Sequence, residues 1–268
     1  MSHSFALLGL DPTLAQTLSE KGYSAPTDIQ AAVIPAMLSG RDVIGQSRTG
    51  SGKTAAFAVP ILQTIRIGAP HIQGLILTPT RELALQVTGA IGRYGRDLGV
   101  RVMAVYGGQA YARQVGSLKK GVDIVVGTPG RVLDLMEKQL LKLDKVSHVV
   151  LDEADEMLSM GFIDDIETIL GATPGERQTG LFSATLSAPV RRLASRFQKD
   201  PLACTLDRER PASATVEQRY YLVNEADRLA ALIRLFETEP IVSALVFSRT
   251  RLATGELANE LAARGVSA

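Results

Sequence analysis

Eight residues constrain this chain more than any other stretch: Ser47-Arg48-Thr49-Gly50-Ser51-Gly52-Lys53-Thr54, set between the apolar-rich run Asp42-Val43-Ile44-Gly45 and the helix-compatible run Ala55-Ala56-Phe57-Ala58. The order is strand, phosphate loop, helix. Two glycines let the backbone curl so that successive N–H groups face an anion, and the N-terminus of the following helix adds its partial positive charge. Lys53 is positioned for the outer phosphates, and the Thr54 hydroxyl for a magnesium ion that bridges phosphate oxygens. The strict phosphate-loop pattern begins with glycine where this sequence has Ser47.

A glycine-rich turn ending in Lys-Thr is also compatible with an ordinary strand-to-helix connection, so a second site has to corroborate it. Val149-Val150-Leu151 runs directly into Asp152-Glu153-Ala154-Asp155. An apolar run ending in adjacent acids is the pattern of a buried parallel strand that delivers carboxylates to its C-terminal edge. Asp152 is then a candidate for holding the magnesium, and Glu153 for orienting or deprotonating an attacking water. The alternative is an acidic first helical turn, favoured by the helix dipole alone.

With 268 residues the chain exceeds the usual single-domain size, so one domain plus part of another is expected. The single cysteine, Cys204, excludes an internal disulfide, and His3, His71 and His148 lie too far apart in sequence for a local metal motif. No run approaches the roughly 18 apolar residues of a membrane span, and the N-terminus lacks the charged start of a secretory signal, so a cytoplasmic protein is expected. Net charge is +1. Attraction for a polyanion must therefore be local, from a few arginines, helix N-termini and backbone amides.

Strand candidates alternate with helices: residues 42–46, 74–78, 101–106, 123–127, 146–152 and 178–183. That alternation predicts a mostly parallel sheet with helices on both faces. The helix after Pro79 carries Leu83, Val87, Ala90, Ile91 and Tyr94 at spacings of three and four, a core stripe. Residues 1–207 read as the first domain and 208–215, charged and rich in small residues, as a linker. Beyond it, 216–223 and 244–248 read as strands and 226–236 and 251–263 as helices, the opening of a second α/β domain that is truncated at 216–268.

In order and spacing these residues resemble the DEAD-box RNA helicases over nearly the full length. Pro26-Thr27-Asp28-Ile29-Gln30 resembles that family's Q motif, Ser47 to Thr54 its motif I, Pro79-Thr80-Arg81-Glu82-Leu83-Ala84 its motif Ia, and Gly107-Gly108 its double glycine. Thr128-Pro129-Gly130-Arg131 matches motif Ib, Asp152 to Asp155 motif II, Ser183-Ala184-Thr185 motif III, and Val246-Phe247-Ser248 resembles motif IV.

The resemblance implies a RecA-like P-loop NTPase domain followed by an incomplete second one, and an ATP-dependent RNA helicase that uses ATP and Mg2+. It implies catalytic roles for Lys53, Asp152, Glu153, Ser183 and Thr185, with Thr54 and Asp152 at the metal. It implies nucleotide contacts from the loop residues Ser47, Arg48, Thr49, Gly50, Ser51, Gly52, Lys53 and Thr54, and from Phe5, Tyr23, Thr27 and Gln30. The Gln30 amide offers a donor and an acceptor that complement adenine N7 and N6, which predicts a preference for ATP over GTP. RNA is expected at Pro79, Thr80, Arg81, Gly107, Gly108, Thr128, Pro129, Gly130 and Arg131, through sequence-independent backbone contacts, because no aromatic cluster is available for base stacking. Protein partners are not legible. A nucleotide-gated RNA clamp and a P-loop DNA translocase remain as alternatives. The family's arginine-bearing motifs V and VI do not appear before Ala268, and loss of such an arginine removes roughly 10³ to 10⁵ in rate, so this stretch is expected to bind nucleotide yet turn it over weakly.

Overall fold

In the computed structural model, described for residues 4–48, 50–109, 111–205, 217 and 219–267, the chain divides into two compact units at residues 209 and 210. The first unit opens with a 3-10 turn, Phe5–Leu8, followed by α1 (Pro12–Glu20), α2 (Asp28–Leu38), β1 (Val43–Gln46), α3 (Lys53–Thr64), β2 (Gly74–Leu77) and α4 (Arg81–Tyr94). It continues through β3 (Val102–Val105), α5 (Tyr111–Lys119), β4 (Ile124–Gly127), α6 (Pro129–Glu137), β5 (His148–Leu151), α7 (Ala154–Ser159), α8 (Ile163–Gly171), β6 (Gln178–Ser183), α9 (Ala188–Phe197) and β7 (Leu202–Thr205). The second unit contains α10 (Arg228–Thr238) and α11 (Arg251–Ala263).

Local chemistry explains the boundaries. The side chain of Asp11 accepts the Thr13 N–H ahead of Pro12 and so caps α1, and Gly22, at φ 85°, turns the chain away after the C-cap Lys21. The seven strands form one sheet in the order β3-β4-β2-β5-β6-β1-β7, and every pairing is parallel. Parallel strands need helical crossovers, which cover both faces and bury the central strands β2, β4, β5 and β6 almost completely. Alternate side chains accordingly enter two cores. Ile76, Ile124, Val126, Val150 and Phe182 pack with α1 to α4. Leu75, Leu77, Val125, Val149, Leu151 and Leu181 pack with α6 to α9 on the opposite face.

Register brings the strand ends level. Leu77 pairs with both Gly127 and Leu151, Val105 with Gly127, and Gln46 with Ser183. The ladder runs one step further at the edge, through Thr78 N–H to Gly127 O (2.9 Å), Thr128 N–H to Val105 O (3.0 Å), Asp152 N–H to Leu77 O (2.9 Å) and Ser47 N–H to Ser183 O (3.2 Å). The residues that leave those strands therefore share one sheet edge.

The second unit departs from the sequence reading. Residues 219–223 and 244–248 form no strand, and the expected 208–215 linker, with 216, lies outside the described residues. A strand exists only where a neighbour takes up its backbone groups, and no ladder partner is present among the described residues of this unit. Their large side chains stay in solvent: Tyr220 is 86% exposed and Phe247 91%.

Candidate functional site

A cleft of about 490 Å³ opens at the shared edge, where β1 and β5 deliver their loops to positions separated by β6 alone. Gly50, Gly52, Lys53 and Thr54 line it together with Asp152 and Glu153. The phosphate loop and the acidic pair thus face the same space. A wall from α4, including Gln86 and Arg93, and the tyrosines Tyr23 and Tyr94 complete it. Tyr23 and Tyr94 meet edge to face at 5.9 Å with their hydroxyls 2.8 Å apart.

The loop is built on glycine where glycine is required. Gly52 has φ 94° and begins α3 as its N-cap, and a Cβ placed on it would lie 2.4 Å from Gln30 Nε2 and 3.1 Å from Thr27 Oγ1. A larger residue would be strained in backbone and would displace a buried amide. Lys53 Nζ donates to Ser47 O at 2.9 Å, and the Ser47 and Ser51 hydroxyls lie 2.8 Å apart, so the loop is closed upon itself. Ser51 and Gly52 precede the first turn of α3, whose free N–H groups favour an anion. Arg48 is exposed on the same loop, and Thr49 lies outside the described residues.

The acidic pair is held by an unusual turn. Glu153 adopts φ 53° and ψ 52°, the left-handed region, as the N-cap of α7. That conformation costs about 1–2 kcal/mol for a residue with a Cβ and is characteristic of sites where geometry is imposed by the surroundings. It redirects the chain immediately after β5, so that Asp152 and Glu153 both border the cleft. Burial pushes Asp152 up to about 6, against the opposing effects of Lys53 and the Glu153 N–H, with the Glu153 charge reinforcing the rise. A carboxylate 3% exposed and short of positive charge fits a cation supplied from outside. No group of three or more His, Cys, Asp or Glu capable of holding a metal occurs among the described residues. A magnesium ion would therefore rely on Asp152, the Thr54 hydroxyl and phosphate oxygens, which suits an ion that keeps few protein ligands.

Ser183 and Thr185 connect to motif II through Asp155, a residue the sequence reading passed over. Asp155 Oδ2 accepts from Thr185 N–H and Thr185 Oγ1, both at 2.9 Å, and its own N–H donates to Ser183 Oγ at 3.2 Å. Burial raises the Asp155 carboxyl, but hydrogen bonds from Ser183, Thr185 and Ala184 outweigh it and hold the group below the usual carboxylate range.

Two expected nucleotide contacts stand away from the cleft lining. Gln30 is fully buried: Oε1 accepts the Thr27 N–H at 3.0 Å, closing a capping box at the start of α2, and Nε2 donates to Gly52 O at 3.1 Å. Its amide meets the phosphate loop from behind, and Gln30 does not line the cleft. Phe5 is 5% exposed and packs in the core of α1 to α4 rather than on the cleft, because an apolar ring gains more from full burial than from a shared surface. Of the upstream aromatics, the structure brings Tyr23 alone to the cleft. Thr27 lies with Gln30 behind Gly52.

The segments expected to meet RNA follow β2, β3 and β4, three neighbours at one end of the sheet order. Thr80 Oγ1 accepts the Leu83 N–H at 3.2 Å and caps α4, while Thr128 is the N-cap of α6. Pro79 and Pro129 are buried, and Gly107, Gly108 and Gly130 are exposed. Gly127 is glycine by necessity, since a Cβ there would lie 2.7 Å from Val105 O and from Val132 Cγ2. Arg81 is exposed, with its guanidinium 4.9 Å from the Tyr106 ring centroid. Arg131 differs from expectation: its side chain is 13% exposed and is engaged by protein groups.

Comparison with known proteins identifies the family. A family model described as DEAD/DEAH box helicase matches residues 27–193. The ATP-dependent RNA helicase DeaD of Mycobacterium tuberculosis is 47% identical over 99% of this chain and 47% of its own length. The DEAD-box ATP-dependent RNA helicase CshA of Bacillus subtilis is 43% identical over 100% of this chain and 54% of its own. The chain thus spans about half the length of these relatives. A crystal structure of a DEAD box protein from the hyperthermophile Methanococcus jannaschii superposes with a TM-score of 0.74 at 40% identity, covering 99% of this chain and 72% of that one.

Proposed function

The chain belongs to the DEAD/DEAH box helicase family, and from that premise we propose that it forms the nucleotide- and RNA-binding part of an ATP-dependent RNA helicase, with residues 1–207 as one RecA-like domain, 208–215 as a linker and 216–268 as the start of a second. The observation that carries this reading is the single cleft lined by Lys53 and Thr54 on one side and Asp152 and Glu153 on the other. A triphosphate fits the loop amides and the α3 N-terminus, and its outer phosphates reach Lys53 once the bond from Nζ to Ser47 O opens. Bound magnesium supplies neutralisation of the developing phosphate charge. Asp152 and Thr54 hold that ion, and Glu153 orients water toward the outer phosphate. Asp155, tied to Ser183 and Thr185, makes the strand after motif II responsive to the state of the cleft.

RNA lies along the neighbouring end of the edge, against the N-termini of α4 and α6 and the exposed glycines 107, 108 and 130, with Arg81 contributing charge. Contacts of that kind grip the sugar-phosphate chain without reading bases. Helicase action by the whole protein, with a cytoplasmic location, is the working reading, supported by the relatives named as ATP-dependent RNA helicases. No helix of the described residues is long and apolar enough to cross a membrane. The test is fluorescence anisotropy of a labelled single-stranded RNA with a non-hydrolysable ATP analogue and magnesium, competed by RNA and by DNA of the same sequence. The proposal expects nucleotide-dependent binding displaced by RNA well before DNA; equal displacement would support a DNA translocase instead.

A further inference from the structure

Between the double glycine and α6 lies a buried polar node centred on Gln114, a residue outside every motif named above. Gln114, in α5, is 1% exposed. Its Nε2 donates to Tyr106 O at 3.1 Å and to Gln109 Oε1 at 2.8 Å. Its Oε1 accepts from Arg131 at 3.1 Å, and the same Arg131 nitrogen donates to Gln109 O at 3.1 Å. Tyr111 lies against the Arg131 guanidinium at 4.6 Å, and Asp134 approaches Arg131 Nε at 3.5 Å. Both N–H groups of the Gln114 amide are used, so it has no donor left for a ligand.

The consequence falls on Gly107 and Gly108. Nothing lies within 4 Å of the Cβ position of either, so both face open space. The node instead fastens the carbonyl before the pair, at Tyr106, and the carbonyl and side chain after it, at Gln109. The glycines become a short exposed bridge between two anchored ends. Free glycine is the residue that loses most backbone freedom on ordering, so anchoring its flanks removes much of the cost of seating a sugar-phosphate chain there.

We propose that Gln114 and Arg131 are positioning residues for RNA: they hold the Gly107-Gly108 loop ready for the phosphate backbone, and Arg131 acts through this loop instead of as a phosphate contact. The proposal rests on the RNA-binding reading above. It also reassigns Arg131, whose guanidinium is engaged by Gln109 O, Gln114 Oε1 and Asp134.

The experiment compares the unmutated chain with Gln114→Leu and Arg131→Lys, using labelled single-stranded RNA, a non-hydrolysable ATP analogue and a salt series. A fluorescent-nucleotide titration on the same samples checks that the cleft is intact. Positioning predicts that both variants lose RNA affinity about tenfold, because a lysine ammonium cannot reproduce the guanidinium fork. It also predicts that the salt dependence keeps its slope, as no phosphate-neutralising cation has been removed. Should Gln114→Leu fail to fold, Arg131→Lys carries the comparison alone. Undiminished affinity in Arg131→Lys would mean that charge alone matters and would overturn the proposal, as would undiminished affinity in a folded Gln114→Leu. An unmutated chain without RNA affinity would overturn the RNA reading itself and this inference with it, which separates the two failures.

Discussion

Replacing Gln30 with alanine separates two roles for that residue that the sequence alone does not distinguish. If Gln30 only reads adenine, the nucleotide-free protein should not feel its loss. The structure says otherwise, because the amide closes the α2 capping box through Thr27 and holds Gly52 O at 3.1 Å from a fully buried position. Loss of a capping interaction costs about 1 kcal/mol. The Gly52 carbonyl keeps the Ala56 N–H at 3.2 Å, so losing its second donor costs about 0.5–1.5 kcal/mol. The sum, roughly 1.5–2.5 kcal/mol, corresponds to a fall in melting temperature of about 3–10 °C for a unit of this size. Gln30→Glu should be no better, since it keeps the acceptor toward Thr27 but sets a carboxyl oxygen against Gly52 O. The assay is thermal and urea denaturation without nucleotide, with far-ultraviolet circular dichroism as the signal. A Gln30→Ala protein that melts within about 1 °C of the parent, less than a few tenths of a kcal/mol on the same scale, would refute the reasoning and return Gln30 to the base.

Three further outcomes follow from single positions. Gly127→Ala should destabilise by about 1–3 kcal/mol in urea, because its new methyl meets the Val105 carbonyl and Val132 at 2.7 Å in a fully covered strand. Asp155→Asn should cost about 1 kcal/mol of stability by replacing charge-assisted bonds from Thr185 with neutral ones, and a urea midpoint equal to the parent's would contradict the hub assigned to it. His148 is held at about 4 by burial, against an ordinary 6.5, beside Thr64 Oγ1 at 3.0 Å. Its folded form binds a proton less readily than its unfolded form, so stability should fall as pH drops from 6.5 to about 4 and level off below. His148→Gln should flatten that part of the pH profile.

Strands β1, β2, β4, β5 and β6 were readable because each lies inside the sheet and appears as a near-continuous apolar run with a motif at its end. Of the two edge strands, β3 was legible from its apolar run and the double glycine after it, whereas β7, Leu202–Thr205, has Cys204 as its one buried residue and no motif at its end. The apolar segments around Tyr220 and Val246 gave the same signal as true strands, but a strand is a property of a pair and their partners are absent from the described residues. At the site, residue chemistry was legible and partner choice was not. The Gln30 amide was correctly seen as one donor and one acceptor, yet the capping-box spacing from Thr27 to Gln30 was the clue to where they go. Gln114 offered no signal at all, since a glutamine in a short helix is unremarked until its three partners, two flanking the double glycine and one on α6, converge on it.

The proposed function requires the loop at Lys53 and the carboxylate at Asp152 to act on one nucleotide and its metal. The direct measurement is a fluorescent-ATP titration of the parent, Lys53→Ala and Asp152→Ala, each with magnesium and with a chelator. Lys53→Ala should weaken binding about 10- to 100-fold in either condition, as expected for losing a charged hydrogen bond of about 1.5–3 kcal/mol. Asp152→Ala should abolish the difference that magnesium makes. Parent-like affinity in Lys53→Ala, or an undiminished magnesium effect in Asp152→Ala, would contradict the proposed function.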